Sequence, residues 1–283
     1  MTWWRTVGLV VGREVTARRR ATLIFTALLA TVALGFMAFL AAVTSGTPAP
    51  ARLDPGEADE VLGFIGVIVL FMAIILTGQI ILMGVAEEKS SRVAEVVLGA
   101  VRPRMLLLGK VIAIGCIGLF EVVLTGSLVL AAGRVLGTLE LPPATGGALA
   151  LVVLWFALGF AFYSTVYAAA GALVARHQNA GNAAGPINIV LMVGYFIGVI
   201  SASGPAAGNP VLRAASLTPP LAPVTMPLRM IQGTAAPWEV AASIAGLVLA
   251  SWGLVLLAER VYVGGLLSTG RTRIREALRN SVR

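Results

Sequence analysis

Glu87–Lys110, EEKSSRVAEVVLGAVRPRMLLLGK, is a charged island about one helix long between two apolar runs, Val61–Val85 and Met105–Ala131. Each run exceeds the about 20 helical residues needed to cross a hydrocarbon core, so the island reads as the connection between two membrane spans. Within it Val93, Val96, Val97 and Ala100 recur at i, i+3, i+4 and i+7, while Glu88, Arg92, Glu95 and Gly99 occupy other faces. Glu87 and Glu88 near the start and Arg102 and Arg104 near the end match the polarity of a helix dipole. The spacing predicts an amphipathic helix over 87–104, resting one face on the bundle and turning another to water, with Pro103 closing it before the next span. Such a helix either docks a partner or is a solvated connection.

The rest of the chain is built for lipid. It is 58% hydrophobic and only 12% charged over 283 residues, against about 25% charged in soluble domains. The reading is an all-α, polytopic membrane protein. Six apolar runs are long enough to span: about 21–43, 61–85, 105–131, 148–174, 183–203 and 240–258. The first, some 23 residues behind a 20-residue lead, is longer than the h-region of a cleaved signal peptide and is expected to remain as a span. Cys116 is the single cysteine and lies in an apolar run, so an intrachain disulfide is excluded and packing is its expected role.

The net charge of +8 is a matter of topology, not of nucleic acid. With the N-terminus in the cytoplasm, all but Arg52, Arg134, Arg213 and Arg229 of the 21 Lys and Arg residues fall on the inner side. The positive-inside rule then places both termini, including the tail 260–283, in the cytoplasm of a cell-membrane protein. Residues 1–20 gather Trp3, Trp4, Val7, Val10, Val11 and Val15 on one helical face and Arg5, Arg13, Thr16 and Arg20 on the other, interrupted by Glu14 and Arg18. They read as an interfacial helix or as an ordinary positive flank.

The outer segments differ from one another. Residues 44–60 are short, acidic and proline-broken. Segment 204–238 holds seven of the 14 prolines yet is rich in Leu, Val and Met, too apolar for a disordered linker. It is expected to form short helices that re-enter the outer leaflet or cap the bundle. At that depth non-helical backbone survives only where protein or a water-filled cavity satisfies it.

No catalytic constellation stands out. His177 is the only histidine, which excludes a paired-histidine zinc site and a serine–histidine pair within the spans. Gly109–Lys110 lacks the upstream Gly and the following Ser/Thr of a phosphate loop, since Arg104 and Val111 stand there. Glu121 is the carboxylate deepest in an expected span. It is either a cation or proton site in a translocation path or a neutral helix contact, for instance through Thr125. Gln79, Asn188 and Tyr195, polar groups in other runs, are the further candidate path residues. Gly181, Gly185, Gly194 and Gly198 form two small-xxx-small pairs around Pro186, for a mobile subunit interface or for internal packing.

Three elements together resemble the membrane subunits of type 2 ABC exporters, in particular the sodium-efflux and multidrug permease branch. They are the Glu87–Lys110 block, the helix before the first span, and SLTPPLAPVTMPLRMIQGTAAPWE (Ser216–Glu239) followed by a span ending AERVYVGGLL (Ala258–Leu267). The resemblance implies a non-catalytic permease. Its coupling helix (Glu87, Glu88, Lys89, Arg92, Glu95, Arg102, Arg104) docks in a separate ATPase that holds the ATP and Mg, and two permeases, identical or not, pair to export a drug, a lipid-like molecule or a cation. Where the sodium-efflux branch often carries a large outer domain, this chain has only 44–60. Two rivals remain: an ion-coupled secondary transporter using Glu121, and a non-transporting docking or immunity subunit.

Overall fold

The structure is a computed structural model that describes residues 55–90, 103–135, 145–174, 180–202 and 209–266, with isolated helical positions at Ala27, Ala30, Thr31 and Gly35. The expected interfacial helix, most of the first span, the 91–102 part of the island and the tail beyond residue 266 lie outside the described residues. Among the described residues seven helices are delimited: α1 Pro55–Ser90, α2 Pro103–Val135, α3 Thr145–Leu173, α4 Ala180–Ala202, α5 Pro210–Leu217, α6 Ala222–Ile231 and α7 Pro237–Leu266. Among the described residues there is no strand. Several helices open on proline, whose missing N–H costs nothing at the first helical position.

Five of the helices, α1 to α4 and α7, carry windows long and apolar enough to cross a membrane: Phe64–Glu87, Gly109–Ala131, Leu149–Leu173, Gly181–Ile200 and Pro237–Leu256. They coincide with five of the six expected runs. α1 and α3 form the centre, and α1 is the most buried of the five windows. Leu70, Ile74, Ile81 and Leu82 of α1 and Trp155, Phe156, Tyr163 and Tyr167 of α3 are buried together. Glycines set how closely these helices pass. A Cβ on Gly78 would run into the Tyr167 ring, and one on Gly171 would fall 2.6 Å from the Leu82 carbonyl oxygen.

α2 lies against this pair through Gly118, where a Cβ would meet Thr77 and Phe156. Its buried positions, Lys110, Ala113, Ile114, Gly118, Glu121, Val122, Thr125 and Val129, recur every three or four residues along one face. The opposite face is exposed and carries Leu119, Phe120 and also Cys116, which is therefore not a core-packing residue.

α5 and α6 make a hairpin of two short helices inserted among the long ones. Asn209 opens α5, its Oδ1 accepting from the backbone N–H of Val211 (3.0 Å) and Leu212 (3.4 Å), with Pro210 next in line. The hairpin tip, Thr218–Leu221, reaches the middle of the bundle: Leu221 lies against Gly194 of α4, and Pro219 is 3.9 Å from where a Cβ on Gly246 of α7 would sit. Gly246 is nine residues, or ~13 Å of helix, beyond the start of α7. α6 then returns past Gly159, where Pro223 sits, and past Gly198, where Leu228 sits.

The prolines explain how a backbone reversal survives at that depth. Thr218 N–H donates to the Ala215 carbonyl, Leu221 and Ala222 N–H to the Thr218 carbonyl, and Val224 and Thr225 N–H to the Leu221 carbonyl. The other three positions, Pro219, Pro220 and Pro223, have no N–H to satisfy. The Pro220 carbonyl accepts from the Tyr163 hydroxyl of α3. The tip therefore leaves no orphan backbone donor from Thr218 to Thr225.

Candidate functional site

The hairpin is fastened to α7 by a buried polar cluster. Glu239, in the first turn of α7, sends Oε2 to Arg229 Nη2 at 2.6 Å and Oε1 to Arg213 Nε at 2.5 Å. The same Oε2 accepts from Ala236 N–H at 3.3 Å, half of a capping box at a helix end whose dipole favours a carboxylate. Arg229 also donates to Ser216 Oγ (2.7 Å) and to the Thr234 carbonyl (2.9 Å). Ser216 is used three times: its hydroxyl accepts from Arg229 and donates to the Arg213 carbonyl (2.8 Å), and its own carbonyl accepts from Ser243 Oγ of α7 (2.8 Å). The side chains of Arg229 and Glu239 are 6% and 3% exposed, whereas that of Arg213 is 56% exposed and stacks 5.6 Å over the Trp238 ring.

Local sequence builds this geometry. After α6 the Thr234 N–H donates to the Arg229 carbonyl (2.9 Å) and the Gly233 N–H to that of Met230 (3.1 Å), the two bonds of a Schellman termination. It needs a residue at positive φ, and Gly233 takes φ 66°. The turn folds Thr234 back over Arg229 and starts α7 three residues later, within reach of the guanidinium. The MPLRM…G…WE pattern thus has a physical content: Arg229, the turn glycine and Glu239 form one unit. In the sequence Arg229 reads as an outer cation within the Ser216–Glu239 block, and nothing there names its partner. The available signal was an Arg and a Glu ten residues apart in an otherwise apolar, proline-rich segment.

The expected path residues are not brought to one point. Glu121 is 1% exposed on the buried face of α2. Thr125 Oγ1, one turn on, has no hydrogen-bond partner among the described residues, so the suggested Glu121–Thr125 contact is not made. Asn188 of α4 instead accepts from the Tyr167 hydroxyl of α3 at 2.5 Å. Half-buried Gln79 adjoins Gly78, at the level of that Tyr167 ring. Tyr195 stacks on Phe71 of α1, ring centroids 4.8 Å apart.

The glycine pairs of α4 divide. Gly194 and Gly198 are covered by Leu221 and Leu228 of the hairpin, whereas Gly181 and Gly185 face open space. Of the expected docking residues, Glu87 is exposed near the end of α1. Glu88 and Lys89 lie in the last turn of α1 and Arg104 in the first turn of α2, with side chains outside the described set; Arg92, Glu95 and Arg102 lie outside it altogether. A cavity of about 50 Å³ between α1, α2 and α3 is walled by Ile65, Val69, Val122, Val129 and Leu149, with Ile231 of α6 at its edge.

Apolar long helices around an inserted proline hairpin define a multi-pass membrane protein whose polar groups hold helices together. The chain belongs to the ABC-2 family of transporter proteins, whose family model matches residues 44–258. It is 27% identical over 249 residues to the uncharacterized protein YhaP of Bacillus subtilis (strain 168), an alignment covering 82% of this chain and 59% of that one. It is 29% identical over 132 residues to the uncharacterized protein MJ1024 of Methanocaldococcus jannaschii, covering 47% of this chain and 31% of that one. The aligned region thus spans less than two thirds of either relative.

Proposed function

We propose that the chain is the permease subunit of an ATP-driven exporter in the cell membrane, with both termini cytoplasmic, paired with a second permease and docked on separate ATPase subunits. The observation that carries this reading is the family match through both long helices that flank the charged island. α1 continues past its apolar window to Ser90, and α2 begins at Pro103, six residues ahead of its own. α1 and α2 therefore both run without a break toward the 91–102 connection, as levers moved from that point would. ATP and Mg belong to the partner ATPase in this reading, and no residue of this chain acts chemically.

Closure of the ATPases would pull on Glu87, Glu88, Lys89, Arg92, Glu95, Arg102 and Arg104 and tilt α1 and α2. Because α1 packs on α2, α3, α4 and α6, its tilt reaches the hairpin directly. Glu121, Gln79, Asn188 and Tyr195 remain the candidate polar contacts of a drug, lipid-like molecule or cation.

Affinity purification of the tagged chain from its native membrane tests the reading. An ATPase should be recovered in roughly equal amount and lost when Glu87, Glu88, Lys89 and Arg92 are neutralised. If no ATPase accompanies the chain in mild detergent, the reading fails, and gradient-driven transport through Glu121 is next to be tested.

A further inference from the structure

The cluster around Glu239 has an uneven charge. Two guanidiniums, Arg213 and Arg229, meet one carboxylate, so the described groups carry a net +1. Arg229 is sealed from solvent, and the excess is therefore presented by Arg213, 56% exposed and stacked on Trp238, itself 58% exposed. This position is the first turn of α7, where its apolar window begins at Pro237, the depth at which indoles and snorkelling arginines meet lipid headgroups. Below it one exposed face of α7 runs through Trp238, Ala241, Ala245 and Leu249. Residues spaced three or four apart lie on one side of a helix. Two alanines between a tryptophan and a leucine leave a shallow furrow. From Trp238 to Leu249 it is ~16 Å long, close to the ~15 Å hydrocarbon depth of one leaflet.

We propose that Arg213 and Trp238 form a binding site for one anionic phospholipid. Its phosphodiester pairs with the Arg213 guanidinium, and an acyl chain lies along the Ala241–Ala245 furrow. A single negative phosphodiester brings the cluster to neutrality, and the planar guanidinium offers it paired N–H donors while Nε stays on Glu239. Zwitterionic lipid carries a cationic group that cancels this gain. The site uses none of the residues assigned to ATPase docking or to the path, so it stands or falls apart from the exporter reading.

The test places the full chain in nanodiscs of phosphatidylcholine containing a small fraction of brominated phosphatidylglycerol or brominated phosphatidylcholine. Trp238 emission is isolated as the difference between wild type and Trp238→Phe. This local readout ignores lipid gathered by the basic termini. Brominated phosphatidylglycerol should quench Trp238 as though enriched about fivefold over brominated phosphatidylcholine, the factor expected for one added cation–lipid pair. Arg213→Gln should level the two lipids and Arg213→Lys should keep most of the preference. Equal quenching in the wild type overturns the proposal, as does a preference surviving in Arg213→Gln. Loss of the preference on adding millimolar inorganic phosphate at constant ionic strength would show a free-phosphate site instead and overturn the lipid assignment.

Discussion

Arg229 and Glu239, ten residues apart, meet at 2.6 Å across the turn between the hairpin and the last long helix, both shielded from solvent. The pair joins the only reversal inserted among the described long helices to the helix that follows it. A buried pair of this kind contributes little net stability against an apolar replacement, yet breaking it leaves a charge stranded.

Glu239→Gln should accordingly destabilise the protein by about 3–5 kcal/mol, and Arg229→Met by less, because Glu239 keeps its pairing with Arg213. The double variant Arg229→Met/Glu239→Gln should cost less than the sum of the two, because no buried charge is left alone. Denaturant titration of the purified chain in mild detergent, read as a double-mutant cycle, checks this; strict additivity would exclude the coupling.

Tyr163→Phe removes the donor to the Pro220 carbonyl and leaves that half-buried acceptor without it at the hairpin tip. The expected loss is about 1–3 kcal/mol. It should come with faster thiol labelling of a cysteine placed at Leu221, and unchanged labelling would show that the tip is held without Tyr163.

Glycine substitutions should separate sharply by position. Gly171→Ala drives a Cβ to 2.6 Å from the Leu82 carbonyl oxygen of α1, a backbone atom that cannot rotate away. A loss of about 1–3 kcal/mol is expected. Gly185→Ala meets nothing within 4 Å and lies inside α4, so it should be neutral or stabilise by up to about 1 kcal/mol. Gly233→Ala must hold φ near 66° at a cost of about 1–2 kcal/mol. Midpoints of thermal unfolding for the three variants order them.

If the chain is the proposed permease of an ATP-driven exporter, Glu88→Ala combined with Arg92→Ala should abolish ATP-dependent export while leaving membrane insertion intact. Export and insertion are measured on the same vesicles, and full export by the double variant would remove the docking role from this segment.

The long helices were legible because a membrane span is a local property: about 20 apolar residues carry the information within themselves. The runs at 61–85, 105–131, 148–174, 183–203 and 240–258 needed no tertiary argument. The hairpin was legible in kind, since proline-rich but apolar chain is wrong for a linker. The depth of its tip was not, because that rests on Gly159 and Gly194 lying across from Pro223 and Leu221. Asn188 shows the same limit. Its polarity marked it as a path candidate, but which hydroxyl it meets is decided by a helix 21 residues away.

The sequence by itself determined the solvent and the helical class, which follow from composition and short-range periodicity, and it carried the family resemblance in the Glu87–Lys110 and Ser216–Glu239 blocks. Only the tertiary structure decided that Arg229 is not a free outer cation but the buried partner of Glu239, and that Arg213 carries the exposed charge. Solvation is summed residue by residue along the chain. Pairing depends on a three-dimensional reversal at Gly233, and on helix crossings that no single segment specifies.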